Sequence, residues 1–381
     1  MKKVLIITTN SGFLTQFEMN DVKILIEQGY QVHYASNFKK PIYEINTDKL
    51  KQQKIILHQI DIEKSPVHVC KNSKALKQLI QIIEKEKIDL IHCHNPIGGV
   101  IGRVAAGFSN KEICVIYTAH GFHFYKGAPI KNWLLYYTAE SILAHNTDIL
   151  ITINHEDYVR AGHFHLKKHG RVERIPGVGV NIDKFQRKPE KSAEKRKELN
   201  IPQEAFHIVS VAELNENKNQ KVIIKALARM KQDNIYYSIC GKGKTQHYLQ
   251  KLISKYHLEN NVRLLGYRTD IDEILQTADC FAFPSIREGL GIAAIEAMAC
   301  EIPIIGTDNR GTREYLQDGI NGITCYQGTS DEFSEAIQKL YSDPGLRHEM
   351  SIHCRKIAEK FALSETDRIM RRIYGEMSGM R

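Results

Sequence analysis

Cys280-Phe281-Ala282-Phe283-Pro284-Ser285-Ile286-Arg287-Glu288-Gly289-Leu290-Gly291-Ile292-Ala293-Ala294-Ile295-Glu296-Ala297-Met298-Ala299-Cys300 is the stretch from which the fold is read. Its first four residues are apolar and stop at Pro-Ser, as a buried strand stops at a turn. After Gly291 come helix-forming apolar residues broken by a single charge, Glu296. Strand, glycine-bearing turn and helix make half of a βαβ unit. Reading outward, the same rhythm recurs at Ile208-Val209-Ser210-Val211, Tyr236-Tyr237-Ser238-Ile239, residues 262–265 and Ile302-Pro303-Ile304-Ile305. An earlier series runs through Val4-Leu5-Ile6-Ile7, residues 32–36, Asp89-Leu90-Ile91-His92, Val115-Ile116-Tyr117-Thr118 and Ile149-Leu150-Ile151-Thr152, with helical patterns over 20–29 and 76–87. A polar stretch rich in Lys and Glu, residues 181–200, separates the two series. The pattern predicts an α/β protein of two Rossmann-like, doubly wound domains facing a central cleft, residues 1–180 and 181–364, hinged near 176–185. An amphipathic helix over 365–381 is expected to return to one of them, the first being preferred.

Bulk properties agree. A chain of 381 residues exceeds one ordinary core, and 42% hydrophobic with 25% charged residues is a globular mixture. The apolar run at the start is about five residues long and ends in Thr-Thr-Asn-Ser, which reads as a first strand and not as a signal peptide. No segment nears the roughly 20 apolar residues that cross a bilayer. The expected location is the cytoplasm, with peripheral contact to the inner face of the membrane left open. Eight cysteines without a C-x-x-C pair read as buried thiols of a reducing compartment. The formal charge of +9 suits any anionic partner, but without an aromatic-interleaved basic stripe it does not point to nucleic acid.

Ligands of open α/β sheets lie beyond the carboxyl ends of the strands, so the turn at 284–291 is the place to seek chemistry. Glu288 and Glu296 frame it. A carboxylate in a helix as apolar as 292–300 is costly to desolvate without donors, and paired ribose hydroxyls would supply them. Gly289 and Gly291 clear side chains from the helix start, so that backbone N–H groups near Leu290 can meet a pyrophosphate. Taken singly, each residue also has an ordinary reading as a loop acid, a surface acid or a turn glycine.

Pro284, Ser285, Glu288, Gly289, Gly291, Glu296, Ala297, Met298 and Ala299 stand in the order of a known signature, and here the sequence resembles the family-4 retaining glycosyltransferases of the two-domain GT-B fold. The likeness extends to Ile175-Pro176-Gly177-Val178-Gly179-Val180-Asn181 with Phe185, to residues 266–268 with Asp270-Ile271, and to Asp89-Leu90-Ile91-His92-Cys93-His94. Thr118-Ala119-His120-Gly121-Phe122-His123 resembles most the transferases of capsular and exopolysaccharide assembly. The resemblance implies an acceptor-binding first domain and a nucleotide-sugar-binding second one. It implies that Glu288 holds hydroxyls of the donor sugar, Glu296 the ribose, and amides near Leu290 and Gly291 the β-phosphate. The implied donor is a UDP-sugar, by preference a UDP-N-acetylhexosamine, and the implied acceptor a polyprenyl-diphosphate-linked saccharide.

One departure stands out. The family has an Arg and a Lys after the first strand of its second domain; this chain has Lys218, but Glu213 where the Arg belongs. Arg268 and Arg310 are the candidate replacements, and Arg268 is counted with Lys218 among the donor-binding residues. Asp270-Ile271-Asp272 spells a metal-binding Asp-x-Asp, but at the start of a helical pattern it reads as an N-cap and a first-turn acid. His92 and His94 lie on one side of a strand without a third ligand nearby in sequence, so no metal and no resident cofactor are expected. His120 follows a strand and reads either as a cleft residue that orients the acceptor or as a buried, hydrogen-bonded structural histidine. Gly12, just beyond the first strand, lies where the family has a loop beside the donor diphosphate and the acceptor, and reads equally as a turn glycine. The rival readings are a sugar-nucleotide epimerase of similar fold and a non-catalytic sugar-nucleotide sensor. A nicotinamide-dependent dehydrogenase is disfavoured, because Thr8-Thr9-Asn10-Ser11-Gly12 holds no G-x-G-x-x-G.

Overall fold

Parallel strands covered on both faces have no wet side, and their sequences are correspondingly apolar throughout. The computed structural model describes residues 1–41 and 45–379. It forms two compact units: unit 1 is Met1–Val178 with Ser364–Arg381, and unit 2 is Gly179–Leu363.

In unit 1 the strands are β1 (Lys3–Ile7), β2 (Gln31–Ser36), β3 (Ile56–Gln59), β4 (Leu90–His94), β5 (Cys114–Ala119), β6 (Ile149–Thr152) and β7 (Arg171–Arg174). They form one parallel sheet in the order β3-β2-β1-β4-β5-β6-β7, with Val4 opposite both Val32 and Leu90. Leu5, Ile7, Ile91, Val115 and Leu150 pack with Ala75, Leu79 and Ile83 of the helix Val69–Glu86 and with Ile101 and Ala105 of the helix Pro96–Gly107. In unit 2 the strands are β8 (Phe206–Val211), β9 (Ile235–Cys240), β10 (Val262–Gly266), β11 (Cys280–Phe283), β12 (Ile304–Thr307) and β13 (Gly322–Cys325), parallel in the order β10-β9-β8-β11-β12-β13. Ile208, Ile239, Ala282 and Ile305 pack there with Ile223, Ile224, Leu227, Phe333 and Ile337.

Both units are therefore doubly wound, and each strand order reverses at one place: between β1 and β4 in unit 1, between β8 and β11 in unit 2. The helix Leu363–Gly379 packs in unit 1, with Ile373 and Tyr374 fully buried and the Thr366 hydroxyl donating to the Gly177 carbonyl at 3.1 Å. Residues 380 and 381 of the expected helix lie outside the described residues. All eight cysteines are free thiols, six of them buried.

One ion pair in unit 1 is wholly buried. Arg103 Nη2 lies 2.7 Å from Glu140 Oε2, the guanidinium stacks 4.0 Å over the Tyr117 ring, and Tyr117 donates to Glu140 Oε1 at 3.2 Å. Removing one member leaves an uncompensated charge. Glu140→Ala should lower the unfolding free energy of unit 1 by about 3–5 kcal/mol. The double change Arg103→Met with Glu140→Leu should recover most of that loss. Urea titrations followed by the emission of Trp133, the only tryptophan of the chain and a residue of unit 1, check both.

Candidate active site

In unit 2 the loops leaving β8 and β11 emerge side by side where the strand order reverses. They are stitched by backbone and amide contacts: Ile286 N–H donates to the Asn217 carbonyl at 2.8 Å, and Asn217 Nδ2 donates to the Arg287 carbonyl at 2.9 Å. Across this seam Lys218 Nζ meets Glu288 Oε1 at 2.5 Å. Their side chains are only 23% and 12% exposed, so the pair is partly dehydrated and stronger than a surface pair.

The turn that follows is constrained by its neighbours. Gly291 has φ +97°, and a Cβ there would stand 2.6 Å from the Phe283 ring and 2.7 Å from the Tyr315 hydroxyl. It caps the helix Ile292–Ala299 without any side-chain acceptor, so the helix presents open N–H groups. The loop after β12 closes the other side. Asn309 Nδ2 donates to the Ser285 carbonyl at 3.0 Å, and Arg310 Nε donates to the Glu288 carbonyl at 3.2 Å. A Cβ on Gly311 would come within 2.8 Å of the Glu288 Cβ. The Tyr315 hydroxyl beneath the turn is fully buried without a hydrogen-bond partner among the described residues.

Glu296 lies one turn into the helix, half-buried, and no side chain or backbone group among the described residues hydrogen-bonds its carboxylate. Burial pushes it up to about 7, with Lys184 opposing the shift and Asp272 adding to it. Lys218, Glu288, Gly289, Leu290, Gly291 and Glu296 are thus gathered on two adjoining loops and one helix start. Arg268 is held elsewhere, by Asp270 at 2.8 Å and by Glu198 at 2.7 Å, and no contact among the described residues joins it to Lys218 or Glu288. Asp270 sits at the N-cap of Ile271–Leu275 as expected, but its side chain does not cap; Arg268 and Lys195 hold it instead. Glu213 is exposed, so its charge faces solvent, and the buried Arg310, on the Glu288 carbonyl, is a second cation beside Lys218 at that residue.

Unit 1 has its own polar cluster at its reversal point. Gly12 is buried at the start of the helical stretch after β1, its N–H donating to Asn10 Oδ1 at 3.2 Å. His94 ends β4 and His120 follows β5; His94 Nδ1 and His120 Nε2 are 3.2 Å apart, with Glu18 Oε1 at 3.5 Å and 3.7 Å from them. Behind them runs a buried chain: Thr118 Oγ1 to His92 Nε2, His92 Nδ1 to the Tyr374 hydroxyl, and that hydroxyl to Asp21 Oδ2, each 2.8 Å. Burial, reinforced by Asp21, pushes Glu18 well above the carboxylate range, and burial lifts Asp21 to about 7. Burial lowers His120 to about 4 and His92 to about 3, and His94 falls well below its ordinary value for the same reason. The histidines are therefore neutral at physiological pH. Only His120, 22% exposed, reaches the surface.

Glu18, His94 and His120 are close enough to share an ion. The His94 and His120 nitrogens, 3.2 Å apart, also lie within direct N–H···N distance. Glu18, Asp21 and Tyr374 are members of this cluster that sequence reading missed. The strand-end position of His94 was its one local signal, since Asp21 and Tyr374 lie 353 residues apart.

Residues 3–154 match the family described as glycosyl transferase 4-like, and residues 191–357 match glycosyl transferases group 1. The protein EpsD of Bacillus subtilis (strain 168), provisionally named a glycosyltransferase, is 38% identical over all of this chain and 98% of its own length. The chain belongs to the family-4 glycosyltransferases. Another relative of this glycosyltransferase, the UDP-Gal:α-D-GlcNAc-diphosphoundecaprenol α-1,3-galactosyltransferase of Escherichia coli, is 29% identical over 77% of each chain. Among solved structures, that of HepE from Anabaena in complex with UDP is similar at a TM-score of 0.79, with 20% identity, over 99% of this chain and 100% of that one. The two Rossmann-like units are those of the GT-B fold.

Glu296 yields a test in the ligand-free enzyme. Its proton is held more tightly folded than unfolded, so the stability tied to the protonated form is complete below 4.5 and is lost as pH rises toward about 7. Glu296→Gln should leave the melting temperature unchanged below pH 4.5 and raise it above about pH 7. Calorimetric melts of both proteins across that range check the difference.

Proposed function

We propose that this glycosyltransferase moves a sugar, with retention of anomeric configuration, from a UDP-sugar to a polyprenyl-diphosphate-linked saccharide during capsule or exopolysaccharide assembly. A UDP-N-acetylhexosamine is the preferred donor. The observation that carries the reading is the Lys218–Glu288 pair beside an open helix start, with Glu296 unpartnered on that same helix. An entering diphosphate competes for Lys218. Glu288 is then released to accept hydrogen bonds from donor-sugar hydroxyls, and Glu296 accepts them from the ribose. Lys218, Arg310 and the amides of residues 290–292 stabilise the charge that grows on the leaving diphosphate. These groups do the work a metal ion would do, so no metal is required for that step.

In the transfer the anomeric C–O bond to the diphosphate breaks, and the acceptor oxygen bonds to the same face of the sugar. Its proton passes to the departing phosphate oxygen. No protein nucleophile takes part. Neutral His120, steadied by His94, orients the acceptor through hydrogen bonds. The E. coli relative, whose name carries both a UDP-sugar and a diphosphoundecaprenol acceptor, supports this choice of substrates. The resemblance of residues 118–123 to capsular transferases supports the pathway. Such an acceptor places the reaction at the cytoplasmic face of the membrane.

A thermal-shift panel of UDP, GDP, ADP and TDP sugars should show selective stabilisation by UDP compounds. Glu296→Ala should weaken UDP binding by roughly 10- to 100-fold, the worth of hydrogen bonds to a charged group. Glu288→Ala should mainly lower kcat. Equal stabilisation by all four nucleotides, or unchanged binding and turnover in both variants, would remove the assignment. Epimerised UDP-sugar formed without acceptor would favour an epimerase, and tight binding without turnover a sensor.

A further inference from the structure

Three ligating atoms converge in unit 1. Glu18 closes the π-helical turn Leu14–Glu18 after β1, His94 ends β4 and His120 follows β5. Such π-turns are rare and occur mostly at functional sites. Glu18 Oε1, His94 Nδ1 and His120 Nε2 form a triangle with edges of 3.2, 3.5 and 3.7 Å. A point equidistant from the three lies about 2.0 Å from each, the length of a Zn–N or Zn–O bond. The edges also match the separation of about 3.3–3.4 Å that such bonds give between the ligands of a tetrahedral ion.

Hydrogen bonding alone does not satisfy the three. One imidazole hydrogen between His94 Nδ1 and His120 Nε2 pairs those two atoms, while Glu18 Oε1, on a side chain only 6% exposed, has no hydrogen-bond partner among the described residues. A carboxyl oxygen orphaned at that depth is costly, and one cation would satisfy it together with both nitrogens. The surroundings suit a cation. A cavity of about 10 Å³, lined by Glu18, Asp21, Thr118 and His120 among others, has room for about one water-sized body. Its lining carries two carboxyl groups and, among the described residues, no Lys or Arg. Phe13 packs on His94 and His120 at 5.9 and 5.1 Å between ring centres, and the His92 ring, held by Thr118 and Tyr374, lies 4.1 Å from that of His94. The ligands are thus held in place by their neighbours before an ion arrives.

We propose that Glu18, His94 and His120 bind a first-row transition-metal ion of the Zn²⁺ class. Two imidazole nitrogens select such an ion over Mg²⁺ or Ca²⁺, which take oxygen ligands. Three protein ligands leave a fourth position for a water, and solvent enters past His120, at 22% exposure the one ligand that reaches the surface. The sequence pairs His92 with His94 and offers no third ligand nearby; the fold turns His92 toward Thr118 and Tyr374 and brings Glu18 and His120 to His94 instead. The ion belongs to unit 1, so the diphosphate step proposed for Lys218 and Arg310 of unit 2 does not pass through it. With His120 bound through Nε2, its Nδ1 keeps the ring hydrogen. In the transfer reading, on which this one consequence rests, His120 then only donates to an acceptor oxygen.

Titration of the chelator-treated full chain with Co²⁺ should give the visible d–d bands of a four-coordinate ion, without the near-ultraviolet thiolate band that cysteine ligation would add. Calorimetry with Zn²⁺ should find one such site per chain. Glu18→Gln and His120→Ala should each weaken it by more than about 100-fold, beyond the roughly 10- to 100-fold cost of losing a residue that merely supports a ligand. Cys70→Ser, which removes the exposed thiol, should leave it unchanged. Trp133 emission reports whether the Glu18 variant folds, and the ¹⁵N side-chain signals of His94 and His120, which Zn²⁺ should shift in the wild type, give a reading that needs no variant. Absence of Zn²⁺ binding by the wild type, affinity that both variants retain, or unmoved His94 and His120 signals would overturn the proposal. A bound ion in a chain that transfers no sugar supports the site and counts against the transfer reading alone, whereas sugar transfer by a chain that binds no Zn²⁺ overturns the site alone.

Discussion

A parallel sheet with right-handed crossovers must reverse its winding somewhere if helices are to cover both of its faces. At that place two neighbouring strands send their chains in opposite directions, and no helix covers the gap between the departing loops. In unit 2 the gap opens between β8 and β11, and the side chains that reach it are polar: Lys218 from one loop, Glu288 from the other. The stitching by Asn217 keeps the loops in register, and the glycine turn leads from the gap straight into an uncapped helix. Unit 1 repeats the arrangement between β1 and β4, with His94 at the end of a strand and Gly12 at the start of a helix. The chemistry assigned to the chain follows from these two reversals.

The two units treat buried charge differently. Unit 2 keeps opposite charges in contact, Lys218 against Glu288. Unit 1 disfavours charge around His120: burial raises Glu18 and lowers the histidines, and Thr118, His92, Tyr374 and Asp21 share hydrogen bonds inside the core. Such a network is costly to leave half satisfied, which fixes the rotamers of the residues leading to His120.

Both the doubly wound fold and the glycine-bearing turn after β11 were legible in the sequence because their signals are local. Ten strands are short apolar runs, and the turn from Pro284 to Gly291 carries its proline, acid and glycines within eight residues. The strands left out, β3, β7 and β13, show why others were not legible. Each is four residues long at the border of its sheet, and β7 reads Arg-Val-Glu-Arg, the charged composition that protects an edge. The histidine cluster of unit 1 was illegible for another reason. Glu18, His94, His120 and Tyr374 come from four separate elements, and only the fold brings them together. The pairing of Arg268 with Asp270 and Glu198 was likewise invisible, since nothing in the local run says that Glu198 lies within reach.

The helix Leu363–Gly379 completes unit 1 although it follows all of unit 2 in the chain. On the ribosome, synthesis is slow relative to the folding of a domain, so unit 2 has time to form while the core of unit 1 still lacks Ile373 and Tyr374. Until that segment emerges, the pocket that receives Tyr374 is open, with Asp21 and His92 facing water. Unit 1 is thus the last part of the molecule to mature, and for that interval the apolar surface its last helix will cover is open to aggregation.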